Sequence, residues 1–146
     1  MKELILKIKR TIRFFFYRNL NINEQLDISK HLVDKNLLFL YWKMSKADRQ
    51  HSYEVFIRTK KNSEDEDLLT LSLLHDIGKS KIDAGVLFRV LSDLGIIRNK
   101  KSRIYIGHES IGIEILKEHN IDKDFINYYN NNLLKQKNFI LDKTDY

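Results

Sequence analysis

The sequence predicts an all-α protein with one domain. Apolar residues recur at helical spacing in successive segments, and capping residues such as Asp34, Ser45 and Asp122 precede several of those segments. Length adds a third observation, because 146 residues can build one hydrophobic core but not two ordinary domains. We therefore expect a single-domain bundle of roughly six to eight helices.

Residues 1–22 are predicted to form a basic amphipathic helix that packs on the domain or extends from it. Six basic side chains and one acidic side chain among residues 1–20 contribute +5 of the total net charge of +6, so the rest of the chain has no general basic surface. Such a helix either docks on a core or binds an anionic membrane or nucleic acid, and docking is the preferred interpretation. Its apolar face comprises Leu4, Ile5, Ile8, Ile12, Phe15 and Phe16.

The rest of the chain is predicted to form further helices. Residues 23–32 form a short helix, and Asp34 caps the next one, at 37–44. Ser45 and Asp48 resemble a capping box that begins the following helix. Later helices are predicted at 64–77 after a capping box of Ser63 and Glu66, at 84–97, at 109–117 after His108, and after Asp122, with a basic loop at 99–102.

Composition restricts the location of the protein and its metal chemistry. The longest unbroken apolar run, residues 37–42, is far too short to cross a bilayer. Lys7, Lys9, Arg10 and Arg13 interrupt the apolar N-terminal stretch, which therefore lacks the centre of a secretory signal and predicts a cytoplasmic location. The chain has no cysteine, so no disulfide partner is expected and any metal must be held by His, Asp or Glu.

The stretch that carries most chemical information is residues 73–79, LLHDIGK. His75 and Asp76 lie within a buried apolar run, where each unpaired polar group costs about 2–7 kcal/mol. A divalent metal ion would satisfy both, and the structural alternative is a hydrogen-bonded His-Asp pair. Gly78 is expected to end the helix in the left-handed conformation, and Lys79 is a flexible charge suited to phosphate.

This stretch resembles the signature of the HD-domain metal-dependent phosphohydrolases, in particular the HDIG branch. Three other segments extend the resemblance: residues 48–55, DRQHSYEV; residues 108–116, HESIGIEIL; and residues 140–145, ILDKTD. Four segments in the family's order are strong support, whereas one His-Asp pair alone would be weak. The resemblance covers roughly residues 37–145 and implies an HD-type helical bundle over residues 23–146.

By this resemblance, four side chains are expected to bind the metal and three to take part in catalysis. The expected metal ligands are His51, His75, Asp76 and Asp145, and the expected catalytic residues are Asp76, Lys79 and His108. Two imidazoles and two carboxylates suit Mn, Fe, Co, Ni or Mg ions.

One ion is expected and a second is disfavoured. Binuclear relatives have two adjacent histidines where this chain has Tyr128 and Tyr129, and a phenol with an ordinary pKa of about 10 is a poor ligand. Asp142, one turn before Asp145, is a less favoured substitute ligand.

The implied function is hydrolysis of a phosphomonoester or phosphodiester by metal-activated water, with a phosphorylated small molecule or nucleotide as the partner. A cyclic-dinucleotide phosphodiesterase is disfavoured because the G-Y-P motif and the paired histidines are absent. A ribonuclease shares H-S-x-x-V and H-D-I-G-K, but this length leaves no room for an RNA-binding domain. The alternative is a catalytically weak binding or regulatory module that engages a membrane surface or a partner through residues 1–22. RNA and a membrane surface are thus allowed as partners by the sequence, but neither is the favoured one.

Overall fold

The computed structural model describes residues 5–6, 8–9, 12–13, 16–82 and 85–146, apart from the side chains of Val86 and Leu87. Within these residues every regular element is helical, which confirms the all-α prediction. The described residues between 22 and 144 form nine α-helices: α1 (Ile22–His31), α2 (Lys35–Lys43), α3 (Lys46–Lys60), α4 (Glu66–Leu74), α5 (Val86–Asp93), α6 (Lys100–Ile106), α7 (His108–Glu118), α8 (Lys123–Tyr129) and α9 (Phe139–Thr144). A 3-10 helix, Ile77–Lys81, follows α4, and a π-helix, Asn130–Lys135, follows α8.

Capping side chains begin several helices where the sequence predicts them. Asp34, Ser45 and Asp122 each accept a hydrogen bond from a main-chain N–H of the first turn of α2, α3 and α8. One helix was not predicted. Residues 99–102 begin α6 instead of forming a loop, because the Asn99 side chain accepts a hydrogen bond from the Ser102 N–H at 2.8 Å. Asparagine caps helices as readily as it forms turns, so the loop prediction was wrong.

The helix that precedes the central motif is shorter at both ends than predicted. α4 begins after Asp65, whose carboxylate accepts hydrogen bonds from two main-chain N–H groups of the first turn at 3.0 and 3.3 Å. The predicted capping box of Ser63 and Glu66 is therefore wrong, and Ser63 instead accepts a hydrogen bond from the Asp65 N–H at 3.1 Å. The helix ends at Leu74, so His75 lies just beyond its last residue.

The prediction for Gly78 was also wrong. This residue lies inside the 3-10 helix, and the only described glycine with a positive φ is Gly95, which follows α5. The turn at Gly95 follows the end of α5, which therefore stops before the predicted residue 97. The predicted start of this helix, Ala84, lies outside the described residues. A Cβ atom at Gly78 would collide with the main-chain carbonyl of His108. Gly78 is therefore needed because the 3-10 helix and α7 approach closely, and not because of its backbone conformation.

The core forms around α4. Its side chains from Leu68 to Leu74 are buried except for the half-buried Thr70, and α4 packs against α3 on one side and α8 on another. The 3-10 helix packs on α7, and α9 packs on α3. This arrangement brings the end of α4, the start of α7 and the end of α9 into one region of the bundle.

A buried ion pair connects α3 to α5. Asp48 is 1% exposed, and both its carboxylate oxygens accept hydrogen bonds from Arg89 Nη1, at 2.8 and 2.7 Å. The Ser45 hydroxyl donates a further hydrogen bond to Asp48 at 2.6 Å. Asp48 is therefore more than the helix-start residue that the sequence predicted, because it ties α5 to α3.

The predicted helix at residues 1–22 lies partly outside the described residues, which do not include Leu4 and Phe15 of its apolar face. The described part of that face is exposed: Ile5 is 47% exposed, Ile12 53% and Phe16 79%. The division of the chain at residue 22 stays a prediction. In the part of the chain that the structure describes, no helix combines the length and the apolar character needed to cross a bilayer.

Candidate metal centre

Two helices and one turn bring the central histidines together. His51 lies in α3 and His75 directly follows α4, so the packing of α3 on α4 sets their separation. Their ring centroids are 5.7 Å apart. Asp76 follows in the turn before the 3-10 helix. One possible ligand atom from each of these three residues lies within 4.8 Å of the others, so the group could hold a metal ion.

The imidazole of His75 is fixed at one nitrogen and open at the other. Its Nδ1 donates a hydrogen bond to the Ser72 carbonyl oxygen at 2.8 Å, which in the neutral ring leaves the lone pair on Nε2. Nε2 is buried and has no hydrogen-bond partner among the described residues. Leaving a buried polar atom unpaired costs about 1–3 kcal/mol, and a metal ion bound there would remove that cost. The residues present therefore fit a divalent ion.

Two carboxylates face this nitrogen without a hydrogen bond to it. Asp76 Oδ2 and Asp145 Oδ1 each lie 3.7 Å from His75 Nε2, beyond hydrogen-bonding distance. Burial alone would lower the pKa of His75, but the attraction of Asp76 and Asp145 outweighs it and the pKa is raised. The centre therefore attracts positive charge, which a metal ion can supply in place of a proton.

The same charges keep both carboxylates ionised. Burial would raise the pKa of Asp76, yet the neighbouring charges of Lys79 and His75 hold that pKa well below its ordinary value. Burial would also raise the pKa of Asp145, and contacts with His75 and His51 hold it well below its ordinary value. Both groups are therefore available as anionic ligands at neutral pH.

Asp145 reaches the centre from the residue after α9. Its Oδ1 lies 2.8 Å from His51 Nε2, and its Oδ2 accepts a hydrogen bond from Lys137 Nζ at 2.7 Å. Each oxygen of the carboxylate thus has a separate partner, which fixes the orientation of the side chain.

The turn that carries Asp145 is anchored to α3. The hydroxyl groups of Thr59 and Thr144 form a buried hydrogen bond of 2.9 Å. Arg58 Nη1 donates hydrogen bonds to the main-chain oxygens of Thr144 and Tyr146, at 3.2 and 2.7 Å. These contacts hold the turn of Asp145 against α3.

Asp76 links the centre to two predicted catalytic residues. Its Oδ2 accepts a hydrogen bond from Lys79 Nζ at 2.7 Å, and its Oδ1 lies 2.9 Å from His108 Nε2. His108 Nδ1 donates a hydrogen bond to the Tyr105 carbonyl oxygen at 2.9 Å. Both ring nitrogens of His108 face acceptors, an arrangement that a doubly protonated imidazole satisfies. Burial would lower the pKa of Lys79, but Asp76 outweighs it and the pKa is raised, so Lys79 is a cation.

Asp142, Tyr128 and Tyr129 do not line the cavity beside the metal centre. The Asp142 side chain is 72% exposed and is not among the residues that line the cavity. Tyr128 donates a hydrogen bond from its hydroxyl to Asp65 at 2.9 Å. Tyr129 is buried, and its hydroxyl donates a hydrogen bond to the His75 carbonyl oxygen at 3.2 Å. Tyr129 therefore supports the main chain of the motif, and neither phenol lines the cavity.

A cavity of about 250 Å³ opens beside these residues. All the predicted site residues line it: His51, His75, Asp76, Lys79, His108 and Asp145. The structure brings them together, while their individual roles stay predictions. Sequence reasoning missed the other lining residues, which are Arg13, Tyr17, Asp93, Tyr105, Ile106, Glu109 and Lys137. Tyr105, Ile106 and Glu109 lie beside His108 in the sequence. The other four are marked by no local motif, because their position depends on contacts between separate parts of the chain.

Comparison with protein families agrees with this geometry. The family model described as HD domain matches residues 49–142, which is more than half of the chain. The matched segment includes both central histidines and ends three residues before Asp145. A comparison with curated proteins gave no match, and a comparison with solved structures gave none either. On the strength of the family match, this chain belongs to the HD domain family.

Proposed function

We propose that this protein is a metal-dependent phosphohydrolase that acts on a phosphomonoester or phosphodiester, with a nucleotide as the favoured substrate. The observation that carries the proposal is the buried Nε2 atom of His75, which lacks a hydrogen-bond partner among the described residues and faces two carboxylates at 3.7 Å. Membership of the HD domain family supports hydrolysis in general. The assignment to the HDIG branch and the cytoplasmic location stay predictions from the sequence.

In this proposal His51, His75, Asp76 and Asp145 hold one divalent ion of the Mn, Fe, Co, Ni or Mg type. The donor set contains nitrogen and oxygen and no sulfur, which suits these ions. A divalent ion supplies Lewis-acid chemistry, since it acidifies water and polarises a phosphoryl oxygen. Tyr129 is engaged with the main chain of His75 in place of a further histidine ligand, so we propose one ion and not two.

The remaining polar residues position groups and supply charge. Lys79 holds Asp76 at 2.7 Å and adds positive charge where phosphoryl oxygens would lie. Lys137 holds Asp145 in the same way, also at 2.7 Å. His108 Nε2 lies on the cavity wall beside Asp76, where a protonated imidazole can donate a proton to the leaving oxygen.

The decisive test is a panel of nucleotides and other phosphoesters assayed with each of several metals. We expect His75→Ala and Asp76→Ala to lose both bound metal and turnover. His119→Ala is a matched control, because His119 follows α7, its side chain hydrogen-bonds to the Ile115 carbonyl oxygen and lies near the ring of Phe39, and it does not line the cavity. Unchanged hydrolysis in both site variants would contradict the proposal.

A non-catalytic module that binds an anionic membrane surface through residues 1–22 is the second candidate. The exposed apolar side chains of Ile5, Ile8, Ile12 and Phe16 favour it. Metal content separates the two candidates. A purified sample that takes up no Mn or Co, but sediments with vesicles of anionic lipid, would favour the membrane-binding module.

A further inference from the structure

A segment outside the family-matched residues reaches the cavity. Arg13 and Tyr17 line it, although the HD domain match begins at residue 49. The two residues are four positions apart in the sequence, and both reach the same cavity. Both side chains are partly buried, unlike Ile12 and Phe16 beside them. The N-terminal segment thus presents one polar side to the cavity.

The described cations around the cavity differ in how closely they are paired. Lys79 and Lys137 each form an ion pair of 2.7 Å with a carboxylate of the metal centre. Arg13 has a longer contact, 3.5 Å, with Glu54, which does not line the cavity. The two lysines are therefore engaged in orienting Asp76 and Asp145, whereas Arg13 has no such close pairing.

The hydrogen bonds of Arg13 leave much of its guanidinium group available. Its Nη1 donates to the main-chain oxygen of Tyr146 at 3.1 Å and to Glu54 at 3.5 Å. Both contacts use the same nitrogen, and a guanidinium carries three further N–H groups on Nη2 and Nε. Those groups form a planar fork that matches two oxygens of one phosphate.

We propose that Arg13 binds the phosphate group of the substrate and makes the enzyme selective for phosphomonoesters over phosphodiesters. This inference rests on the proposed phosphohydrolase function. A monoester has three terminal oxygens, so two remain for a guanidinium fork when one is directed to the metal centre. A diester has two terminal oxygens, and only one would remain. The fork therefore loses half of its hydrogen bonds with a diester.

Tyr17 supports this arrangement as a neutral wall residue. Burial, followed by the nearby charge of Glu54, raises its pKa to about 12. A tyrosine hydroxyl is neutral at neutral pH even with its ordinary pKa of about 10, so Tyr17 adds no negative charge beside Arg13 and does not repel a phosphate dianion.

The test compares Arg13→Gln, Arg13→Lys and the matched control Arg18→Gln. Arg18 is the same residue type five positions later, and it pairs with Glu24 on the surface and does not line the cavity. Three quantities are measured for each protein: metal content, the Kd of inorganic phosphate by calorimetry, and kcat/KM for p-nitrophenyl phosphate and bis(p-nitrophenyl) phosphate.

We expect Arg13→Gln to weaken phosphate binding and monoester kcat/KM by about tenfold or more, since charge-assisted bidentate contacts are strong. The loss in diester kcat/KM should be clearly smaller, because the diester makes only one of the two fork contacts. Arg13→Lys should be intermediate, and metal content should be unchanged in every variant. Arg18→Gln should match the wild type.

Three results would overturn the inference. The first is phosphate binding that Arg13→Gln leaves unchanged. The second is an equal loss on the monoester and the diester. The third is a loss of metal together with phosphate binding, which would mean that Arg13 acts by holding Tyr146 and the turn of Asp145. If the wild type hydrolyses nothing, the proposed function fails and the phosphate titration alone decides whether Arg13 is an anion contact.

Discussion

Two buried carboxylates in this molecule, Asp48 and Asp76, are satisfied in different ways. Asp48 is enclosed by Arg89 and Ser45, with three hydrogen bonds of 2.6 to 2.8 Å from protein groups. Asp76 is also hydrogen-bonded, to Lys79 and His108, but it borders a cavity and a buried nitrogen that has no hydrogen-bond partner among the described residues. A buried charge therefore does not by itself indicate a site. The indication is an unpaired atom beside the charge and a space that opens onto both.

The largest effect on stability should come from disrupting the buried ion pair of Asp48 and Arg89. We expect Asp48→Asn to lower the free energy of unfolding by about 3–5 kcal/mol, because it removes the carboxylate that accepts two hydrogen bonds from the buried Arg89 side chain. Urea denaturation measures this change. The double variant Asp48→Leu with Arg89→Met should recover most of the stability, since it removes both charges. Equal stability of Asp48→Asn and the wild type would mean that the pair contributes nothing.

Asp76 should behave in the opposite manner. We expect Asp76→Asn to weaken Mn binding by at least about 100-fold, because loss of residues that merely support a ligand already costs about 10–100-fold. Unfolding should change less than in Asp48→Asn, because Lys79 and His108 line the cavity, where water can replace the lost contacts. Asp142→Asn, on an exposed residue, is the control for Mn titration. Tight Mn binding by the Asp76 variant would exclude this carboxylate as a ligand.

Metal loading should sharpen the same contrast. At a free Mn concentration of 100 times Kd, the folded protein should gain about 2.7 kcal/mol of stability, since the ion binds the folded state. Thermal unfolding with and without Mn, and after chelation, measures this gain. The double variant at positions 48 and 89 should respond to Mn like the wild type, while His75→Ala should not respond.

A smaller effect is expected at Lys137. Lys137→Met removes the 2.7 Å contact that orients Asp145 and should weaken Mn binding by about tenfold. Lys143→Met is a control on the exposed side of α9. Calorimetric titration with Mn compares the two. An unchanged Kd in Lys137→Met would mean that Lys137 is not needed to orient the carboxylate.

Much of the fold could be predicted because capping signals are local. Asp34, Ser45 and Asp122 each satisfy main-chain N–H groups two or three residues later, a property visible in sequence. The start of α4 was misplaced because Ser63 and Asp65 are both good capping residues, and only the packed structure shows which is used. Choices of this kind depend on tertiary contacts.

The candidate site also contains residues that the sequence predicted and residues that it did not. The resemblance to HD domains named four metal ligands, and the structure brings them together around one cavity. Lys137 and Arg13 were missed because each acts on a group far away in the sequence or on another element. Arg13 lies among the basic residues of an amphipathic segment, where a solvent-facing role is the ordinary expectation. Composition gives no signal that distinguishes it.

Gly78 gives the site a property that no reactive group provides. The main chain at Gly78 lies so close to the carbonyl of His108 that no side chain fits between the motif and α7. A larger residue at position 78 would displace α7 and lengthen the 2.9 Å contact between His108 and Asp76. Gly78 thus sets the distance between the side chains of His108 and Asp76, although it has no side chain of its own.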